Sequence, residues 1–333
     1  MTSNTPTSFA SPFAIGGVIV PNRVILAPMA GMTNSAFRRR AKAHGAGLVV
    51  TEMVSANGLL YGNVATARYL DFLEEERPIA VQLFTADPNA LRRAVEVCLE
   101  RDMRPDLIDL NMGCPVRKVV KTGAGAALLA DPRAAAELAH VAVEAAAQAG
   151  VPVTVKIRSG LAPDHIVAVE TARRLEAVGV AAIGVHPRTA SQLYRGRADH
   201  SVTAEVAVAV QVPVLASGDV TSVAAAAQIL AESAAVAVMV ARGAQRGPWL
   251  VADLVYGVER PRPELPAVTA ELRELLRLAA ADMGPRRALG WMRKIVGWYL
   301  KGSGVSAARV DGLRSAVDVG ALDTALALLT EDG

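Results

Sequence analysis

Cysteine is scarce in this chain of 333 residues, which contains only Cys98 and Cys114. Two cysteines cannot form the disulfide framework of a small secreted protein, so the sequence fits a reducing compartment. Residues 1–11 lack the basic segment and the apolar core of a signal peptide. The most apolar later stretch, 223–241, is interrupted by polar residues, so a helix and a strand fit it better than a membrane span. These absences predict a soluble, cytoplasmic protein without a membrane partner.

Net charge is also small, at +3. A value this low does not by itself indicate a polyanionic partner. The distribution of charge is more informative, because the segment 284–309 contains no acidic residue. Its basic residues are Arg286, Arg287, Arg293, Lys294, Lys301 and Arg309. The segment fits either phosphate contacts or a solvated helix face, and charge alone does not separate the two.

Short runs rich in Val, Ile and Leu alternate with longer alanine-rich segments, which is typical of repeated βα units around a buried parallel sheet. The runs lie at 24–29, 48–54, 78–84, 107–113, 152–158, 181–187, 213–219 and 236–243. The clearest helices are predicted at 87–101, 131–148, 163–178 and 221–232. Eight units predict an α/β fold, a closed (β/α)8 TIM barrel. A doubly wound open sheet is the alternative, because periodicity does not prove closure.

The two ends of the chain differ from this pattern. Residues 15–23, with two glycines between apolar residues, predict a small hairpin at the lower end of the barrel. Three prolines follow the last βα unit, and the sequence beyond them indicates helices only. The predicted organisation is a flexible N-terminal tail at 1–12, a barrel domain at 13–260 and a small all-helical domain at 261–333.

Cys114 is the most informative residue, because it follows a buried strand directly. Gly113 before it allows close backbone approach, and Pro115 after it fixes the turn. A lone cysteine is more often a small buried hydrophobe, and this is the interpretation we give to Cys98. Around Cys114, however, polar residues follow several other runs as well. They are Glu52, Gln82, Asn111, Lys156, Arg158, His186, Arg188, Ser217, Asp219 and Arg242. Since barrel enzymes build their active sites at the carboxyl ends of the strands, this convergence predicts a catalytic mouth.

These same residues carry a resemblance to a known family, the tRNA-dihydrouridine synthases, and the sequence is most similar to their bacterial B-type branch. The matching motifs are LAPMAGMT at 26–33, NMGCP at 111–115, VKIR at 155–158, His186 with Arg188-Thr189, and Gly218-Asp219. The resemblance extends in order from about Phe13 to Leu300. It implies an FMN-binding barrel and a helical tRNA-binding domain. Together they would reduce selected uridines of tRNA to 5,6-dihydrouridine, with NADPH as the electron source.

The resemblance also implies which residues hold the cofactor. The backbone of Pro28, Met29 and Ala30 would contact the flavin, as would the side chains of Gln82 and His186. Lys156 would hold the pyrimidine edge of the ring system, where a cation stabilises reduced flavin. The phosphate end would be formed by Ser217, Gly218, Asp219, Ala241 and Arg242. Barrels of this type bind phosphate after strands seven and eight, which agrees independently with that assignment.

The chemistry implied for the family places hydride from flavin N5 on C6 of uracil and a proton from Cys114 on C5. A thiol with a pKa of ~8.5 is mostly protonated at neutral pH, so it needs no activating base for this role. Asn111 would orient the base, and Arg188 would contact the base or its phosphate. The target base must leave its stack to reach such a pocket. The RNA backbone would be held by Lys118, Lys121, Arg286, Arg287, Arg293 and Lys294. We expect a monomer that binds tRNA, with no DNA partner and no metal.

Three residues depart from the family pattern in one quadrant of the site. Pro187 and Ala241 stand where glycine is usual, and Ser217 stands where asparagine is usual. We expect FMN to bind with an altered affinity or a shifted phosphate position. One alternative function is a flavin barrel enzyme acting on a free pyrimidine, which has no need of a basic helical extension. The other is a non-catalytic tRNA-binding protein, which has no need of a thiol beside a lysine and a histidine.

Overall fold

The structure is a computed structural model that describes residues 9–330. Its strands are β1 (Phe13–Ile15), β2 (Val18–Val20), β3 (Val24–Leu26), β4 (Leu48–Val50), β5 (Val54–Ser55), β6 (Ile79–Phe84), β7 (Leu107–Met112), β8 (Val153–Arg158), β9 (Gly160–Ala162), β10 (His165–Ile166), β11 (Ala182–His186), β12 (Val214–Ser217) and β13 (Ala237–Val240). Its helices are α1 (Ser35–Ala43), α2 (Ala56–Leu60), α3 (Val64–Ala67), α4 (Pro88–Leu99), α5 (Arg117–Val120), α6 (Pro132–Ala147), α7 (Ala168–Ala177), α8 (His200–Ala209), α9 (Val223–Ser233), α10 (Trp249–Tyr256), α11 (Leu265–Met283), α12 (Pro285–Tyr299), α13 (Ala307–Arg314) and α14 (Val319–Leu328).

Eight parallel strands close into a barrel in the order β3, β4, β6, β7, β8, β11, β12 and β13. The ring closes where β13 pairs with β3, with Val238 opposite Val24 and Val240 opposite Leu26. All eight apolar runs identified in the sequence contain a barrel strand. The predicted TIM barrel is therefore confirmed, and the open doubly wound sheet is excluded. The short strand β5 adds to the carboxyl half of β6.

The hairpin predicted near the N-terminus is present as β1 and β2, which pair antiparallel. Ile15 and Val20 are fully buried and belong to one apolar cluster with Leu48 and Leu107, which lie at the amino ends of their strands. Gly16 makes this contact possible with a φ of +56°, and a Cβ atom there would lie 2.7 Å from Cγ of Pro152. The hairpin therefore seals the end of the barrel opposite the carboxyl ends of the strands.

Three of the four predicted helices lie close to their expected positions, but the prediction for 163–178 is wrong at its start. Residues 160–166 form the hairpin of β9 and β10, and α7 begins only at Ala168. Pro163 and the residue after it supply the two-residue turn of this hairpin. A Cβ atom on Gly160 would lie 1.8 Å from the carbonyl oxygen of His165, so the close pairing requires glycine.

Most of the predicted tail, together with 331–333, lies outside the described residues. Within the described part, Phe9 is 2% exposed and its carbonyl accepts a 2.8 Å hydrogen bond from the backbone N–H of Arg23.

The chain beyond α10 is helical through α14, and the boundary predicted at 260 falls between α10 and α11. Arg40 of α1 and Glu271 of α11 form an ion pair at 2.6 Å that joins the barrel to these helices. The division into two domains remains a prediction. Among the helices of residues 9–330, none has the length and apolar character needed to cross a membrane.

A buried ion pair between Arg38 and Glu76 offers a test of the packing around α1. The two side chains are buried and 2.6 Å apart, and Glu76 also accepts hydrogen bonds from Ser35. We expect Glu76→Gln to lower the free energy of unfolding by about 3 kcal/mol, because Arg38 would remain as an uncompensated buried charge. Urea denaturation measures the loss. The control is Glu137→Gln on the exposed surface of α6, expected to cost less than about 1 kcal/mol. Equal losses in the two variants would contradict the burial of the pair.

Candidate active site at the barrel mouth

The carboxyl ends of the barrel strands open into a cavity of about 890 Å³. Its volume lies in the range of pockets that hold a cofactor or a drug-sized ligand. Most of the residues that the sequence assigns to the site line it together. They are Pro28, Met29, Ala30, Gln82, Asn111, Cys114, Lys118, Lys156, His186, Ser217, Gly218, Asp219, Ala241 and Arg242. Residues far apart in the chain thus meet at one end of the barrel, as expected from parallel strands.

Cys114 lies two residues beyond the end of β7 in a loop held by backbone hydrogen bonds. Its N–H donates to Oδ1 of Asn111 at 2.8 Å, and its carbonyl accepts from the N–H of Ala126 at 3.0 Å. Gly125 has a φ of +63°, and a Cβ there would lie 2.6 Å from the Cys114 carbonyl oxygen, so only glycine fits. Burial raises the pKa of Cys114, with the backbone of Val116 acting in the opposite direction. The group that faces the cavity is therefore a protonated thiol at neutral pH, suited to donate a proton.

A relay of buried hydrogen bonds fixes the loop from below. Asp109 accepts from Nε2 of Gln82 at 2.7 Å and from the hydroxyl of Thr154 at 2.6 Å. Oε1 of Gln82 in turn accepts from Nδ2 of Asn111 at 2.9 Å. An ionised carboxylate only accepts hydrogen bonds, so Asp109 sets the direction of both amides and leaves Oδ1 of Asn111 for the Cys114 loop. Burial raises the pKa of Asp109 to about 6, while the hydrogen bonds from Thr154 and Gln82 oppose the shift.

Lys156 and His186 provide the polar floor of the cavity. Burial lowers the pKa of Lys156 to about 8, Arg158 acts in the same direction, and Asp109 opposes them. Burial also lowers the pKa of His186 far below its usual value, and the cations around it add to this effect. The imidazole is therefore neutral at working pH, beside a lysine that is still largely protonated at pH 7. This environment favours a ligand that carries or develops negative charge.

The predicted phosphate end lies where β12 and β13 finish. Gly218 has a φ of +112°, and a Cβ there would lie 2.9 Å from Cδ2 of His186, so the chain passes closely over the imidazole. Arg242 is half exposed, and its guanidinium lies 4.7 Å from the centre of the Tyr194 ring. A cation on an aromatic face at a cavity rim is well placed to bind a phosphate.

Arg188 differs from the sequence prediction. It is 2% exposed and does not line the cavity. Its Nη2 donates to both oxygens of Asp219 at 2.8 Å and to the carbonyl of Gly196 at 2.7 Å. The guanidinium thus fixes the loop between β11 and α8, and its contact with a substrate stays a prediction. Burial alone would raise the pKa of Asp219, but hydrogen bonds from Ala198 and Arg188 hold it below its usual value.

Several predicted residues lie outside this cavity. Lys121 is exposed next to α5, and Arg286 and Arg293 are exposed on α12. Arg287 and Lys294 line a second cavity that lies against α12. These positions describe a basic surface beside the mouth. Of the three departures from the family pattern, Ser217 and Ala241 line the first cavity, whereas Pro187 is buried outside its lining.

The sequence analysis missed Tyr194 and did not assign a site role to Arg158. Tyr194 lies in the loop between β11 and α8, lines the cavity, and has the Arg158 guanidinium 5.5 Å from its ring centre. Arg158 also donates to the carbonyls of Gly113 at 2.9 Å and Leu193 at 2.7 Å, which ties the cysteine loop to the tyrosine loop. One signal in the sequence could have indicated Tyr194. It is an aromatic residue in the loop that follows a strand carrying site residues.

Comparison with known proteins agrees with this geometry. The family model described as Dihydrouridine synthase (Dus) matches residues 25–323. A tRNA-dihydrouridine synthase B from Xanthomonas axonopodis pv. citri (strain 306) is 38% identical over 291 residues, which covers 86% of each chain. The same enzyme from Pseudomonas aeruginosa is 37% identical over 294 residues, with 86% of each chain covered. Among solved structures, morphinone reductase has a TM-score of 0.54 at 15% identity, covering 79% of this chain and 93% of that one. At that identity the likeness concerns the fold alone.

The two cysteines give a test of the site geometry. We expect iodoacetamide to modify Cys114 in the folded protein and to leave Cys98 unmodified. Only Cys114 lines the cavity, whereas Cys98 is fully buried and burial raises its pKa to about 12. The reaction should accelerate as the pH rises, because the thiolate is the nucleophile. Intact-protein mass spectrometry measures it, with Cys114→Ser as the control. Modification of both cysteines at one rate would contradict the structure.

Proposed function

The chain belongs to the dihydrouridine synthase family, and from that premise we propose that it reduces uridines of tRNA to 5,6-dihydrouridine. The proposal includes a bound FMN and NADPH as the electron donor. The observation that carries it is the cavity at the barrel mouth, which is lined by a protonated thiol, Cys114, and a buried ammonium, Lys156. The names of the relatives, which are tRNA-dihydrouridine synthases, support the same reaction.

The residues of the cavity fit an FMN. Lys156 is a partly buried cation for which the described residues supply no ion pair, and such a cation favours an anionic neighbour. The narrow passage of Gly218 over His186 and the half-exposed Arg242 suit a phosphate at the far end. We assign the ring system to the side of Pro28 to Ala30 and Lys156. We assign the phosphate to Ser217, Gly218, Ala241 and Arg242, with the carboxylate of Asp219 holding the surrounding loop.

A bound, reduced flavin would supply a hydride to C6 of the uracil. Cys114 donates its proton to C5, and a positioned acid of this kind contributes about 10²–10⁴ in rate. The relay from Asp109 through Gln82 and Asn111 holds the cysteine loop while the proton moves. Lys156 would stabilise negative charge on the ring system of the bound flavin. The basic residues of α12, together with Lys118 and Lys121, bind the RNA backbone and give affinity a steep salt dependence.

Two other functions are distinguished by their substrates. An enzyme for a free pyrimidine would reoxidise its flavin with uracil or orotate at the rate it shows with tRNA. A non-catalytic tRNA-binding protein would bind RNA without bound flavin. The basic surface of α12 is expected of a protein that binds RNA, and the thiol is expected of a catalyst, so neither alternative accounts for both features.

The proposed function is tested by following the flavin without oxygen. We expect NADPH to bleach the visible bands of the holoenzyme and unmodified tRNA to restore them. In Cys114→Ala, bleaching should be unchanged, while reoxidation by tRNA should slow by about 10²–10⁴, because only the proton donor is lost. Cys98→Ala is the matched control and should reoxidise at the parental rate. Reoxidation that is equally fast in Cys114→Ala would contradict the role of the thiol, and failure of tRNA to reoxidise the parent would contradict the function.

The departures at Ser217 and Ala241 predict a measurable effect on the cofactor. We expect the double variant Ser217→Asn with Ala241→Gly to bind FMN more tightly, by up to about tenfold. The longer amide adds a polar contact and the lost methyl group allows closer backbone approach, each worth about one hydrogen bond or less. Quenching of flavin fluorescence measures the dissociation constant, with Ser201→Asn on α8 as the control. An FMN affinity equal to that of the parent would contradict the expected effect of Ser217 and Ala241.

A further inference from the structure

A second cavity of about 610 Å³ lies beside the first, between the barrel mouth and α12. The loop after β3 separates the two cavities. Ala30 lines the first, and the next residue, Gly31, lines the second. The segment after β4 divides in the same way, because Met53 lines the first cavity and Glu52 the second. The two cavities are thus neighbours, and these two backbone segments separate them. None of the roles assigned above to the first cavity uses the lining of the second.

Glu52 is the notable acceptor in this second cavity. It is 8% exposed, and one of its oxygens accepts a hydrogen bond from the N–H of Gly31. Within residues 9–330, no donor reaches its other oxygen. Burial raises the pKa of Glu52, while the Gly31 hydrogen bond and the charges of Arg38, Lys294 and Arg287 act against the rise. Because Arg38 is committed to Glu76 at 2.6 Å, the second oxygen is available to a ligand that donates hydrogen bonds.

Trp291 and Asn34 also line the cavity, but their side-chain donors do not face it. Nε1 of Trp291 and Nδ2 of Asn34 are buried from solvent and have no hydrogen-bond partner in the described part of the chain. Arg287 and Lys294 add exposed positive charge at the same wall.

Glu52 and the two basic side chains therefore favour a ligand that combines adjacent hydrogen-bond donors with negative charge. Among the RNA bases, only guanine presents two neighbouring donors, N1–H and the N2 amine, that a single carboxylate can accept. A phosphate on the same nucleotide matches Arg287 and Lys294. Uracil and cytosine lack the donor pair, and adenine offers a single donor group.

We propose that the second cavity binds a guanine nucleotide of the RNA substrate, with Glu52 accepting from its Watson–Crick edge and Arg287 and Lys294 holding its phosphate. This rests on the proposed function for the identity of the macromolecule. The neighbouring positions of the cavities place this guanine close to the uridine that enters the first one. The cavity therefore selects which uridine is reduced, because a uridine without a nearby guanine leaves the carboxylate of Glu52 without a donor.

The test is isothermal titration of FMN-saturated holoenzyme with guanosine monophosphate, inosine monophosphate, adenosine monophosphate and inorganic phosphate. Inosine lacks only the N2 amine. We expect guanosine monophosphate to bind about tenfold or more tightly than the inosine and adenosine nucleotides, as one hydrogen bond to a charged group provides. Glu52→Gln should abolish the preference for guanine over inosine, since an amide keeps the bond to Gly31 but loses a second acceptor.

Glu274→Gln is the matched control, because it makes the same chemical change on α11 outside the lining. It should leave all affinities unchanged. Equal binding of the guanine and adenine nucleotides, complete displacement by phosphate alone, or an unaltered preference in Glu52→Gln would overturn the proposal. The titration does not depend on turnover. If the protein prefers guanine but does not reduce tRNA, the proposed function is contradicted and the guanine site is not. Reduction of tRNA without the guanine preference would contradict the site only.

Discussion

The carboxylate of Asp109 is the group on which the geometry of the candidate site depends. Asp109 lies opposite Gln82 on β6 and Thr154 on β8 in the strand register, so the closed barrel brings the three side chains together. Because the carboxylate only accepts, it turns the Gln82 amide, and Gln82 in turn fixes Asn111. The oxygen of Asn111 then holds the backbone of the cysteine loop at 2.8 Å. A thiol in a loop is thus positioned by strands, which are stiffer than loops.

Positive charge dominates the cavity above this relay. Lys156 and Arg158 of β8 lie on one side of the cavity, and Arg242, just after β13, lies on the other. The carboxylate of Asp219 already accepts hydrogen bonds from Arg188. Burial keeps His186 neutral by lowering its pKa, and the excess charge adds to this effect. The same charge suits an anionic cofactor and an RNA substrate. Cys114 remains a thiol in spite of this charge, because burial raises its pKa further than the nearby Arg158 lowers it. An acid and an electrostatic stabiliser can therefore coexist in one pocket.

The sequence was sufficient for those features that depend on local pattern. The apolar runs located all eight barrel strands, and the paired glycines located the hairpin that seals the barrel. It failed where tertiary contacts decide. Arg188 follows a strand like the other site residues, yet the loop beyond it folds back and buries its guanidinium against Asp219. The second cavity could not be predicted from the sequence, because Glu52 and Trp291 line one cavity only when α12 packs beside the barrel mouth.

The central claim is that this barrel mouth reduces uridine within tRNA. The most direct measurement is mass spectrometry of nucleosides from unmodified tRNA that has been incubated with the FMN-loaded protein and NADPH. The account predicts a uridine that gains two hydrogens at one defined position, and no such product when NADPH is left out. Recovery of uridine alone, from a protein that holds FMN and is bleached by NADPH, would contradict it.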